Sequence, residues 1–314
     1  MNQKRIVIAG GSGFIGRALA KKFFEHGFEV VVLTRTPHAH TDDIREVAWD
    51  GKNSGEWVQF LDGAEAVINL TGKTINCPHT PANVREITAS RVDSVNAIAA
   101  AIAQSKTPPR VWVQASATGF YGDTGDNARG ENSPAGQNTL AEICRQWEMA
   151  FAMANVPQTR KVVLRIGFVL GRDGGALPVL SRLTKYFLGG AVGSGRQYIS
   201  WIHLADLMQM FLAAVKRENL NGTFNAVTPN AVTNAEFMCE LRRVLHRPWS
   251  PSVPEFAVRL GSWLMKSEPS LALVSQLCLP EKFLEMEFRF QFPHLRDALE
   301  NLCEKESVNP AHRR

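Results

Sequence analysis

The feature that most constrains this chain is the run from Arg5 to Arg35. Arg5-Ile6-Val7-Ile8-Ala9 is short, apolar and rich in β-branched residues, which is the composition of a buried strand. It leads straight into Gly10-Gly11-Ser12-Gly13-Phe14-Ile15-Gly16 and a helix-period stretch from Phe14 to His26. Val30-Val31-Val32-Leu33 reads as a second strand, closed by Thr34-Arg35. Strand, glycine turn, helix and strand within about thirty residues make the βαβ unit that cradles a dinucleotide. Gly10 turns where a Cβ would clash, Gly13 lets a pyrophosphate approach the backbone, and Gly16 lets the helix press on the strand. The helix N-terminus adds free N–H groups and a positive dipole end. The first glycine gap is one residue wider than the usual fingerprint, and a glycine triplet alone also suits a purely structural turn. Its place between two strands favours the nucleotide.

The end of the second strand bears on which nucleotide. An NAD site usually places a carboxylate there to hold the adenosine ribose. This chain has Thr34-Arg35, a hydroxyl and a guanidinium that can bind a 2′-phosphate through charge-assisted hydrogen bonds. NADP(H) is therefore favoured over NAD(H), the alternative being that Arg35 is a solvated loop residue. Asp42-Asp43 lie too far along to be the ribose ligand.

The remaining segments continue the alternation. Strands are predicted at 47–49, 66–70, 111–115 and 162–166, with helices at 83–104 and 139–154. Leu70-Thr71-Gly72 ends the fourth strand beside the expected cofactor. Ser116 and Tyr121 follow the fifth, at a strand's C-terminal end, where ligands bind in open α/β sheets. Beyond 171 the pattern loosens. A helix reaching about Leu188, a strand at 198–203, a helix at 204–216 that Asp206 helps to start and a strand at 222–226 are expected. Thr233 with Glu236 forms a capping box for a helix over 234–246, and the stretch after the proline-rich 248–254 reads as helical and apolar until Pro280.

Composition excludes several classes. A chain of 314 residues has ample material for a core, and 45% hydrophobic with 21% charged residues is ordinary for a globular protein. No apolar run approaches the roughly twenty residues of a membrane span, and the N-terminal apolar run breaks too early for a signal peptide, so the cytoplasm is the expected location. The five cysteines form no Cys-x-x-Cys pair, so no metal site is expected. A net charge of +5 permits nucleic-acid binding, but no basic cluster is interleaved with aromatics. The expected partner is an unknown small molecule, with no nucleic acid and no membrane, on a monomer or homodimer.

Together these segments resemble the extended short-chain dehydrogenase/reductase superfamily, and most closely its atypical subgroup of epimerase family proteins. The resemblance is carried by Gly10–Gly16, Leu33–Pro37, Asn69–Gly72, Ser90-Arg91, Ser116–Gly122, Trp147-Glu148, Leu164–Gly167, Gly193–Gln197, Ser200–His203, Asp206 and Val274–Phe290. It implies an α/β, Rossmann-type, doubly wound and mostly parallel seven-stranded sheet with a small C-terminal α/β substrate lobe. The expected division is a dinucleotide-binding domain over 1–170 and a mainly substrate-binding lobe over 171–303, some of whose segments return to the sheet. Residues 304–314 are expected to be a frayed tail. The resemblance also implies NADP(H) held by Gly10, Gly13, Phe14, Ile15, Gly16, Thr34, Arg35, Leu70, Thr71 and Gly72, with Glu86, Arg91 and Leu140 near the cofactor. His203 and Asp206 match a pattern common in extended members and read as structural hydrogen-bond partners.

The departures are as informative. Active superfamily members carry a Tyr-x-x-x-Lys acid/base pair on the helix after the fifth strand. Counting back from Glu148 places Leu140 at the tyrosine position and Cys144 at the lysine position, as befits a subgroup that lacks the pair. Ser116 and Tyr121 are left as catalytic candidates. Residues Asn76 to Ala82 lack a tryptophan usual in relatives, and Glu287 stands where a glycine is normal. Two functions stay open: an NADP(H)-dependent oxidoreductase or epimerase-like enzyme, and a non-catalytic NADP(H)-binding sensor or regulator.

Overall fold

A computed structural model describes residues 3–38, 44–264 and 268–303. Asp42-Asp43 and the 304–314 tail lie outside the described residues. In chain order the first half holds β1 (Arg5–Ala9), α1 (Phe14–Glu25), β2 (Glu29–Thr34), β3 (Arg45–Ala48), β4 (Ala66–Asn69), α2 (Pro81–Gln104), β5 (Val111–Ala117) and α3 (Thr139–Met153). The second half holds β6 (Arg160–Ile166), β7 (Phe168–Leu170), α4 (Leu177–Lys185), β8 (Tyr198–Ile199), β9 (Trp201–His203), α5 (Leu204–Lys216), β10 (Gly222–Ala226), β11 (Val232–Thr233) and α6 (Asn234–Val244). Among the described residues four further helices follow: α7 (Glu255–Leu264), α8 (Ser270–Leu273), α9 (Glu281–Glu285) and α10 (Leu295–Cys303).

Seven strands form one sheet in the order β10-β6-β5-β4-β1-β2-β3, with every neighbouring pair parallel. A parallel sheet is covered on both faces, which is why its strands read as continuous apolar runs. Ile6, Val7, Ile8 and Ala9 are completely buried. One helix pair, α1 with α5, and another, α2 with α3, pack together, and both α3 and α5 touch β5. The sheet order reverses at β1, between β2 and β4, so the crevice at the carboxyl ends of these three strands is the binding position the fold creates. β10 joins the sheet beside β6, while β7 with β9 and β8 with β11 form two small ladders outside it.

Caps locate the helices. Thr80 accepts from the Asn83 N–H, with Pro81 in the first turn of α2, and Asn138 accepts from Ala141 to start α3. The Thr233–Glu236 capping box forms as expected at α6. Asp206 does not start α5. His203 caps that helix by accepting from Ala205, and the Asp206 carboxylate instead takes the backbone N–H groups of Gln291 and Phe292.

Two stretches depart from expectation because backbone partners outweigh local pattern. The single strand expected over 198–203 breaks at Ser200, whose hydroxyl donates to the Gln276 carbonyl and accepts from the Cys278 N–H. The helix expected to continue to Pro280 ends at Leu273, because Gln276 N–H bonds to Tyr198 and Leu279 N–H to Arg129. This extended segment ties the C-terminal region to the sheet's carboxyl end.

Glu287 sits at φ +53°, in the left-handed region. That conformation costs a residue with a Cβ about 1–2 kcal/mol, against roughly 0.5–1 kcal/mol for glycine's extra freedom when unfolded. Glu287→Gly should therefore raise the unfolding free energy by about 0.5–1 kcal/mol, read by urea denaturation. An unchanged or lowered midpoint would remove the strain argument.

Candidate cofactor-binding and active site

The glycine turn is shaped by close approach. Gly10 lies at φ +72°, and a Cβ there would sit 3.0 Å from the Thr71 backbone. Gly11, which the sequence reading passed over, abuts Val32, 2.8 Å from where its Cβ would lie. Gly16 is needed for another contact than expected: a Cβ on it would meet the backbone of Gly11 at 2.5 Å, so α1 presses on the loop and not on a strand. Gly13 is the opposite case. Its Cβ would meet nothing nearer than 3.8 Å, so the space beside it is open. Gly13 caps α1 without a side chain, and the first turn carries no acidic residue, which leaves its N–H groups for an anion. Ile15 packs into the core, and the Phe14 ring is seated against Gly171, Gly174 and Gly175. Phe14 and Ile15 therefore offer a ligand their backbone, their side chains being engaged elsewhere.

At the end of β2 the two expected ligands separate. The buried Thr34 hydroxyl donates to the Ser12 hydroxyl at 3.1 Å, while Arg35 is exposed. Arg35 is thus the residue free to take a phosphate, with Ser12 beside the turn. At the end of β4, Asn69 donates to Ser94 and Gln114 and accepts from the Thr71 N–H, which bends the chain at Leu70-Thr71. The Thr71 hydroxyl is buried with no hydrogen-bond partner. An orphaned hydroxyl, an open Gly13 and an uncapped helix along one crevice fit a dinucleotide.

Arg91 forms the wall on the β4–β5 side. Its Nη1 donates to the Lys73 and Ile87 carbonyls, each at 3.0 Å, and its guanidinium lies 5.0 Å from the Trp147 ring centre. A Cβ at Gly72 would come within 2.9 Å of the guanidinium carbon, so Gly72 leaves room for it. Burial pushes the Arg91 pKa down, and no carboxylate pairs with it among the described residues. Glu86 is exposed and committed to Lys73, whose ammonium also reaches Asn83 at 2.9 Å and holds the Glu86 pKa down. Leu140 packs with Ile87 and Ile143, beside Gly119, and presents only an apolar wall. Cys144 is buried, and burial pushes its thiol up to about 12.

Ser116 and Tyr121 belong to one buried chain of hydrogen bonds. Ser116 Oγ donates to Glu148 Oε1 at 2.6 Å, and Arg165 clamps the same carboxylate through Nε at 2.9 Å and Nη2 at 2.8 Å. Arg165 Nη1 donates to the Tyr121 hydroxyl at 2.8 Å, and that hydroxyl donates to Asn225 Oδ1 at 2.8 Å. Asn225 in turn donates to the Leu279 carbonyl and, through its backbone, to Glu131. The 3₁₀ turn Thr118–Tyr121 is what aims the phenol inward.

Tyr121 therefore does not stand ready to donate a proton, contrary to the expectation for it. It is 2% exposed with its proton already committed, and burial, opposed by Arg165, pushes its pKa up to about 12. An unfolded phenol ionises near 10 while the folded one stays neutral, so this contribution to stability is complete below pH 10 and disappears towards pH 12. Tyr121→Phe should flatten that part of the stability–pH curve in alkaline unfolding measurements. The same alkaline slope in both proteins would contradict the burial.

Glu148 and Arg165 were quoted in the sequence only as parts of matching segments. Their pairing joins α3 to β6, with Ser116 of β5 on the same carboxylate, and nothing in local spacing announces it. Thr118 likewise donates to Gln276 Oε1 at 2.7 Å, which brings the C-terminal segment to the edge of the site beside Gly119. Among the described residues no cluster of three or more His, Cys, Asp or Glu could hold a metal ion. None of their helices is long and apolar enough to cross a membrane.

Comparison with known proteins gives the family and the fold. The model of the NAD dependent epimerase/dehydratase family matches residues 6–226, and that of a domain of unknown function (DUF1731) matches 253–302. The chain is 34% identical over 304 residues to the chloroplastic "Epimerase family protein SDR39U1 homolog" of Arabidopsis thaliana, covering 95% of this chain and 86% of that protein. It is 33% identical to an epimerase family protein of Staphylococcus saprophyticus, covering 95% of this chain and 99% of the relative. Among solved structures, human epimerase family protein SDR39U1 (isoform 2) with NADPH superposes with a TM-score of 0.85 at 29% identity, over 95% of this chain and 98% of that one.

Proposed function

Because this chain belongs to the NAD dependent epimerase/dehydratase family, we propose that it binds NADP(H) in the β1–α1 crevice and is an oxidoreductase or epimerase-like enzyme acting on a small molecule. The observation that carries the cofactor reading is the open Gly13 over the uncapped start of α1, with Arg35 exposed at the end of β2. The NADPH held by the human relative supports the same choice. The α1 N–H groups would hold the pyrophosphate, Arg35 the 2′-phosphate, and Thr71 with Arg91 the half of the cofactor lying over β4 and β5. When bound, the nicotinamide ring supplies or accepts hydride.

What the chain adds is placement of a proton. With its own proton on Glu148, Ser116 Oγ has lone pairs to accept one from a substrate hydroxyl while Glu148 Oε1 takes the serine's. Arg165 fixes that carboxylate and compensates its charge. Tyr121 acts through Arg165 as a strut.

Titration of protein fluorescence with NADPH and NADH tests the first part. The wild type should prefer NADPH, and Arg35→Gln should weaken NADPH binding by about tenfold to a hundredfold, the worth of a charge-assisted hydrogen bond, while sparing NADH. Equal affinity of the wild type for the two would end the NADP(H) reading. For catalysis, NADP⁺ reduction across a panel of alcohols should show turnover that Ser116→Ala lowers and Tyr121→Phe leaves nearly intact.

The committed proton of Tyr121 and the apolar Leu140 and Cys144 favour a second reading, a sensor that binds NADP(H) without reaction. It requires that NADPH and NADP⁺ bias a partner's affinity differently, because only differential binding shifts an equilibrium. Turnover with any substrate in the panel decides for the enzyme. No turnover, with redox-dependent capture of a partner, decides for the sensor.

A further inference from the structure

The ends of α4 and α6 meet at a surface that the cofactor site does not use. Both helices finish with the same backbone device. Phe187 N–H returns to Thr184 and Leu188 N–H to Leu183, while His246 N–H returns to Arg243 and Arg247 N–H to Arg242. This closure needs one residue in the left-handed region, where glycine is the usual occupant. Here Phe187 takes φ +62° and His246 φ +54°. A bulky aromatic residue in that conformation is a strained choice, and burial does not explain it. Tyr186, Phe187, Leu188 and Trp249 are 73%, 50%, 55% and 67% exposed.

The charged side chains here that lack an ion-pair partner are basic. Arg247 lies 5.5 Å over the Phe187 ring and donates to the Lys185 carbonyl, and Arg242 donates to the Gly189 carbonyl. These contacts join the two helix ends and leave the guanidinium charges uncompensated. Arg182, Lys185, Arg242 and Arg247 have no carboxylate partner among the described residues, whereas Arg243 is paired with Glu240. A hollow of about 430 Å³ opens on the α6 side of this tip, lined by Cys239, Arg242, Arg243, His246, Arg247 and Pro248, with no acidic residue in its wall.

We propose that this tip is a peripheral docking site for an anionic phospholipid surface. Phe187 and Leu188 would enter the acyl boundary, Tyr186 and Trp249 would sit at headgroup level, and the basic hollow would receive lipid phosphates. The excess of positive charge disfavours a second copy of the chain meeting the same face. No span is needed for such a contact, so it revises the expectation of no membrane partner without any transmembrane helix.

Sedimentation of the full chain with vesicles tests it. Vesicles of phosphatidylcholine containing about a third phosphatidylglycerol should bind at least about fivefold more protein than phosphatidylcholine alone, and added salt should release it. Phe187→Gly should cut binding by about fivefold to tenfold, while raising thermal stability through release of the left-handed strain. Arg182→Gln with Lys185→Gln, which removes no hydrogen bond seen in the fold, should reduce binding to anionic vesicles to a similar extent. Equal or absent binding to the two vesicle types overturns the proposal, as do unchanged binding in Phe187→Gly and capture by an acidic peptide with none by vesicles.

Discussion

Replacing Glu148 by alanine should lower the unfolding free energy by about 3–5 kcal/mol, because it leaves the Arg165 guanidinium buried and without a counter-ion. Both Arg165 bonds to that carboxylate are within hydrogen-bond range, and the pair's side chains are only 7% and 12% exposed. The attraction between the partners is not the main reason for the loss, since desolvation offsets much of it. What the variant adds is the full cost of an uncompensated charge between the Phe120 and Tyr121 rings. That reasoning makes a second claim. Changing both residues to methionine should cost less than Glu148→Ala alone, since no charge is then stranded. Urea unfolding followed by circular dichroism reads both variants, and a loss under about 1 kcal/mol for Glu148→Ala would show that the pair is not buried as described. Ser116 loses its acceptor in the same variant, so turnover with any substrate found should fall further than the stability change alone implies.

This network also marks where sequence reading stops. The βαβ unit was legible because strand period, glycine placement and the following helix are local properties. So was the Thr233–Glu236 capping box, which acts over three residues. Ser116 and Tyr121 looked equivalent because they follow the same strand, yet a turn of 3₁₀ helix between them sends one towards Glu148 and the other inward to Asn225. Their partners come from α3, β6 and β10, and no spacing rule connects residues so far apart in the chain. The 274–280 segment failed for a related reason. Its composition allows a helix, but its backbone groups find partners at Tyr198, Thr124 and Arg129, and those decide its shape. Thr34 ends β2, and its hydroxyl is already bonded to Ser12, whereas Arg35 beside it is exposed, a difference that the sequence does not announce.

The glycine turn gives the sharpest test of the crevice, because two of its glycines should fail in different ways. Gly13→Ala places a methyl group in open space, 3.8 Å from its nearest neighbour. Alanine is a poorer helix N-cap than glycine by about 0.5–1 kcal/mol, but at the extended backbone of Gly13 the lost freedom of the unfolded chain offsets a similar amount, so stability should hardly change. The methyl would nevertheless stand where the phosphates must approach the α1 N–H groups. Losing one such charged hydrogen bond, at about 1.5–3 kcal/mol, weakens NADPH binding roughly tenfold to a hundredfold. Gly16→Ala has the opposite balance. Alanine gains about 1 kcal/mol of helix propensity over glycine, but its Cβ would lie 2.5 Å from the Gly11 backbone, which cannot rotate aside as a side chain could. The overlap costs about 1–3 kcal/mol, outweighs the propensity gain and pushes α1 off the turn. Gly16→Ala should therefore lose both stability and NADPH affinity, whereas Gly13→Ala loses affinity alone. Thermal melts paired with NADPH titration separate the two. If both variants melted and bound alike, the crevice would not be the one defined by the Gly11–Gly16 contact, and the dinucleotide would have to lie elsewhere.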